Sequence, residues 1–73
     1  MSLVEKRSVT IAGHRTSVSL EAEFWEGLAA LAAARGLSVA SLVAEIDDAR
    51  DGNLSSALRL AVLRFYREGA GRA

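Results

Sequence analysis

Few side chains in this sequence can do chemistry, and their spacing narrows what that chemistry is. Cysteine is absent and His14 is the sole histidine, which excludes thiolate nucleophiles, disulfides and a zinc site. No nucleophile–base pair, no carboxylate pair with an identifiable cleft and no glycine-rich phosphate loop stands in the sequence. Glu21 and Glu23 are accounted for by a helix start, where carboxylates meet the positive end of the dipole. Neither catalysis nor a metal or cofactor is expected. The run Arg15-Thr16-Ser17-Val18-Ser19-Leu20 is more informative. If Thr16, Val18 and Leu20 face a core, alternation along a strand turns Arg15, Ser17 and Ser19 outward. That face is a row of hydrogen-bonding groups.

Something must position that row. The chain has 73 residues, 51% of them hydrophobic, enough for one domain spanning 1–73. A domain so small sits near the lower limit of independent stability. With disulfides and metals excluded, oligomerisation is the remaining support, so a core shared with a second copy is expected. The formal net charge is zero, which argues against strong non-specific attraction to nucleic acid. The distribution is uneven. Lys6, Arg7, His14 and Arg15 gather early, Asp47, Asp48 and Asp51 in the middle, and Arg59, Arg64, Arg67 and Arg72 late. Met1 to Arg7 holds no apolar stretch fit for a signal peptide. The longest apolar run, Leu28 to Ala34, falls far short of the roughly 20 residues that cross a bilayer. A cytoplasmic protein with no membrane contact is expected.

The elements follow from periodicity, and the chain reads as free of internal repeats. Within 8–20, Val9 and Ile11 alternate with Ser8 and Thr10, as Val18 and Leu20 do with Ser17 and Ser19. Gly13-His14 suits a two-residue turn, with Ile11 facing Thr16 and Val9 facing Val18. A single longer strand fits the same residues. From Glu21 the period becomes helical through Phe24, Leu28, Leu31 and Ala32, and Gly36 stops this first helix, 21–35. Ser38 caps a second helix, 39–50, with Leu42, Val43 and Ile46 on one face. Asn53 or Ser55 can cap a third, 54–67. Its Leu54, Leu58, Ala61, Val62 and Phe65 form one stripe, with Leu60 and Leu63 on the other side, so a partner surface is expected there.

The order of strand, Gly-stopped helix and Ser-capped helix over 15–50 resembles the ribbon–helix–helix family of the Arc, methionine and CopG-type repressors. The residues carrying the likeness are Arg15 to Leu20, then Phe24, Leu28 and Leu31, then Arg35-Gly36-Leu37-Ser38, then Leu42, Val43 and Ile46. Arg7 to Leu20 with Trp25, and Asn53 to Arg59, look like a bacterial subgroup with an extra C-terminal helix. The resemblance implies an α+β, mostly α fold, assembled as an intertwined homodimer whose core includes Val18, Leu20, Phe24, Leu28, Leu42 and Ile46. It also implies a transcriptional regulator whose intermolecular β-ribbon enters the major groove of double-stranded DNA. Arg15, Ser17 and Ser19 would then meet base edges. Arg suits guanine O6 and N7, while Ser is less discriminating. The amides of Ser38, Val39 and Ala40 would hold a phosphate, which positions without reading sequence.

A second expectation is a protein-interaction or antitoxin-like module on the same dimeric scaffold, engaging a protein partner through the third helix. The strand region bears on the choice. If residues 8–12 pair beside 15–20, a dimer would carry four strands, and the outer two would stand at the groove entrance.

Overall fold

Alternating β-branched and hydroxyl residues do form two strands, and they pair with each other within one chain. In the computed structural model, which describes residues 3–71 and side chains up to residue 69, β1 (Val4–Ile11) runs antiparallel to β2 (His14–Glu21). The turn is Ala12-Gly13, with φ of 51° and 81°, and not Gly13-His14. Positive φ at both central residues is the type I′ geometry, whose twist matches that of the flanking strands. Ile11 therefore opposes His14, and Val9 opposes Thr16. Relative to the expected register the strands have slid by two residues. A slip of two keeps every side chain on its face, whereas a slip of one would invert them all. β1 also begins at Val4, ahead of the expected residue 8. Glu5 and Arg7 lie on the inward face at its rim, where they pair with each other at 2.7 Å.

Ala12 is the one non-glycine residue with positive φ among the described residues. An alanine Cβ in that region costs roughly 1–2 kcal/mol, and asparagine bears it more readily. Ala12→Asn is expected to raise stability by about 1 kcal/mol. A urea midpoint at or below that of the unaltered chain would contradict it.

Helix α1 (Ala22–Arg35) stops at Gly36, which takes φ 70° and turns its N–H back to Ala32 and Ala33. Leu37 N–H bonds to Ala32 O at 2.8 Å, completing a left-handed stop that favours glycine. Helix α2 (Val39–Ala49) opens on Ser38, whose Oγ accepts the Ser41 N–H at 3.0 Å. Asn53 opens α3 (Leu54–Gly71) in the same way, accepting the Ser56 N–H at 3.1 Å. That helix runs four residues beyond the expected end at 67.

The inner hairpin face closes over the helices through Val9, Ile11, Val18 and Leu20, meeting Trp25, Leu28, Ala32, Leu42, Val43, Leu58 and Val62. Of the residues expected to need a second copy, Val18, Leu20, Leu28 and Leu42 are buried inside one chain, and Phe24 and Ile46 are half-buried. No buried side-chain polar atom is left unpaired among the described residues. Leu60, Leu63 and Tyr66 are exposed on α3. No single helix among those described is long and apolar enough to cross a membrane.

Candidate nucleic-acid interface

The outer face of the hairpin is built from both strands. Arg15, Ser17 and Ser19 are exposed on β2, and the same alternation exposes Lys6, Ser8 and Thr10 on β1. Across the ribbon Lys6 sits opposite Ser19, Ser8 opposite Ser17, and Thr10 opposite Arg15. The β1 set was legible in principle, since the rule that turned Arg15 outward applies equally once the strand is extended to Val4. Its charged start hid the strand.

Charge on this face is sorted by what each group touches. Glu21, at the far end of β2, is held by Arg59 Nε at 2.9 Å. That hydrogen bond keeps the Glu21 carboxyl below its ordinary pKa. Arg59 also lies 5.8 Å from the Phe24 ring, so it joins α3 to the strand end. Arg7 lies over the Trp25 ring at 4.9 Å and pairs with Glu5, which removes it from the outer face. Lys6 and Arg15 have no ion-pair partner among the described residues. The face therefore presents two cations and four hydroxyls, with its one border carboxylate neutralised.

Helix starts flank the ribbon on both sides. Val39 and Ala40, in the first turn of α2, line a groove with Ser8, Val9 and Thr10 of β1. Asn53, Leu54 and Ser55, at the start of α3, line another with Thr16, Ser17 and Val18 of β2. Ser55 Oγ reaches the outer-edge carbonyl of Ser19 at 3.5 Å. Ser38 is committed to capping, its Oγ also donating to Ser41 Oγ at 3.0 Å; Ala40 is exposed and Val39 half-buried. The first-turn amides of a helix lack intrahelical acceptors, so they suit an anion. His14 opens β2 opposite Ile11. No group of three His, Cys, Asp or Glu side chains among the described residues is placed to hold a metal.

A family model described as a ribbon-helix-helix domain matches residues 4–66, taking in both strands and most of α3. The chain belongs to the ribbon–helix–helix domain family. Among solved structures, an uncharacterized protein from Bordetella pertussis Tohama I is similar, with a TM-score of 0.79 and 32% identity. The match covers 97% of this chain and 62% of that one, so this ribbon–helix–helix chain spans under two thirds of its neighbour's length. No curated protein matches. Ribbon–helix–helix proteins generally form homodimers and bind DNA, and they are not a known enzyme family.

Proposed function

We propose that this protein is a bacterial, cytoplasmic, homodimeric transcription regulator that enters the major groove of duplex DNA with the outer face of its β-ribbon. The observation that carries this is the exposed row Arg15, Ser17 and Ser19, on a ribbon face without an unpaired carboxylate. A two-stranded ribbon fits a groove about 12 Å wide, where Arg15 can take guanine and the serines accept several bases. The amides of Val39 and Ala40, with Ser38 as cap, hold a backbone phosphate and fix the ribbon's depth.

Titrating labelled duplex with the protein tests this reading. Affinity is expected to fall linearly with salt on logarithmic axes, because each neutralised phosphate releases counterions. Arg15→Ala is expected to cost about 1–3 kcal/mol of binding and to relax the base preference at one position. No duplex binding at about 50 mM salt would remove the proposal.

A second reading rests on α3. Leu60 and Leu63 stand 45 and 48% exposed, on a helix whose other side is already buried through Leu58 and Val62. Such a face suits a protein partner, in the manner of an antitoxin. Capture of a partner that is lost with Leu60→Glu and Leu63→Glu, while duplex binding stays absent, would favour it.

A further inference from the structure

The hairpin strands repeat each other. Lys6-Arg7-Ser8-Val9-Thr10-Ile11 returns nine residues later as Arg15-Thr16-Ser17-Val18-Ser19-Leu20: cation, variable residue, serine, valine, hydroxyl, large aliphatic. The chain was expected to hold no repeat, and this one is easily passed over because its unit is a single strand. Similarity on the inward face, Val9 with Val18 and Ile11 with Leu20, is what a shared core demands. Similarity on the outward face, Lys6 with Arg15, Ser8 with Ser17 and Thr10 with Ser19, answers to no packing requirement in this chain.

The register turns the repeat into symmetry. Ser8 and Ser17 are directly opposite in the antiparallel pair. A two-fold axis normal to the sheet between them carries each β1 residue onto the residue nine places later. It lays Lys6 on Arg15 and Thr10 on Ser19. A helix start also stands beside each strand. The start of α2 lies beside Ser8 to Thr10, and the start of α3 lies beside Thr16 to Val18. Both helices open on a side chain, Ser38 or Asn53, that caps the amide three residues on. The core beneath is closed within one chain.

We propose that a single chain supplies the whole reading ribbon, with β1 standing where a second subunit's strand was expected, and that Lys6, Ser8 and Thr10 read DNA as the symmetry mates of Arg15, Ser17 and Ser19. This deepens the DNA-binding reading and rests on it. Duplex DNA also consists of antiparallel strands related by local two-fold axes, so a ribbon with matched halves meets equivalent base edges on both. From Lys6 to Thr10 the strand rises roughly 13 Å, about four base-pair steps. The site read by one chain is therefore a short near-palindrome, and a second copy adds a second whole ribbon, not the missing half of the first.

The test begins with duplexes enriched from a randomised pool by the unaltered protein, one of which becomes the labelled probe. Lys6→Ala and Arg15→Ala are each expected to weaken that probe five-fold or more, and to alter base preference at dyad-related positions on repeat enrichment. Thr10→Val and Ser19→Val are expected to form a second, milder dyad-related pair. A uniform electrostatic role for Lys6 would weaken binding without moving base preference. If Lys6→Ala and Thr10→Val leave base preference unchanged while Arg15→Ala shifts it, β1 lies outside the groove and the proposal fails. Val4→Cys with Glu21→Cys offers an independent check in this cysteine-free chain. These residues face each other at the open end of the hairpin, in the close pairing that suits a disulfide. The oxidised chain is expected to bind the probe within two-fold of the reduced chain. Loss of binding on oxidation would show that the strands must part, and would overturn the single-chain ribbon. Failure of the unaltered protein to enrich any duplex would instead bring down the DNA-binding reading, and this inference with it.

Discussion

Gly27→Ala is expected to destabilise the protein by about 2–3 kcal/mol, although alanine is the better helix former. In an exposed helix interior the exchange would gain up to about 1 kcal/mol. Gly27 is buried in the middle of α1, where α3 crosses it. A Cβ built there would overlap Val62 Cγ1 and sit 3.3 Å from Tyr66 Cε2. Valine is stiff at χ1, so Val62 cannot swing aside within its helix. The helices must separate, and the rest of their contact loosens with them. Overpacking of this kind typically costs about 1–3 kcal/mol, occasionally more. Urea unfolding checks the value through a lower midpoint at unchanged slope. Val62→Ala removes the obstructing methyls, so the double variant should lose less than the sum of the two single losses. A neutral or stabilising Gly27→Ala would mean that α3 does not pack at this distance from α1.

Gly27 also shows where sequence reasoning reached its limit. The helical stripe Phe24, Leu28, Leu31, Ala32 placed α1 on the core, and the Gly36 stop and Ser38 cap fixed the corner that follows. Those are local signals, each written within a few residues. A glycine inside a helix carries no such local meaning. Its reason lies in the approach of Val62 from a distant part of the chain, and neither residue announces the other. The Glu21–Arg59 pair, 38 residues apart, was hidden for the same reason. Glu21 had an adequate local explanation as a helix-start carboxylate, and Arg59 carries no local sign of a partner so far away in the chain.

The ribbon was half legible. Alternation in β2 exposed Arg15, Ser17 and Ser19, but β1 begins with Glu5, Lys6 and Arg7, which break the apolar pattern that marks a strand. The turn misled by one residue, because Gly13 suits the first central position of one hairpin turn and the second of another, and Ala12 is an unexpected residue at positive φ. Val18, Leu20, Leu28 and Leu42 were legible as core from their periodicity, and all four are buried. Val9 and Ile11, expected on the apolar face of the hairpin, join them in one core cluster.

Trp25→Ala is expected to cost about 3–5 kcal/mol, the usual range for emptying a buried aromatic site. A chain of this length is stabilised by roughly 4–11 kcal/mol in all, so much or most of the margin goes and thermal unfolding should move sharply down. The more telling variant is Trp25→Phe. Trp25 is 2% exposed and joins α1 to the first strand by two contacts phenylalanine cannot fully reproduce. Its Nε1–H donates to Glu5 O at 2.9 Å, and its ring carries the Arg7 guanidinium at 4.9 Å. The lost hydrogen bond is worth about 0.5–1.5 kcal/mol, and the weakened cation–π contact a few tenths to about 1 kcal/mol. Both bear on β1 alone. Hydrogen exchange should therefore quicken in the backbone amides of β1 and in their partners on β2, while the α2 amides keep their protection relative to global stability. If β1 supplies half of the reading face, loosening it should also weaken duplex binding, although Trp25 is buried and cannot touch the DNA. Unchanged affinity in a Trp25→Phe chain whose β1 exchanges faster would separate the outer strand from recognition, leaving β2 to read alone.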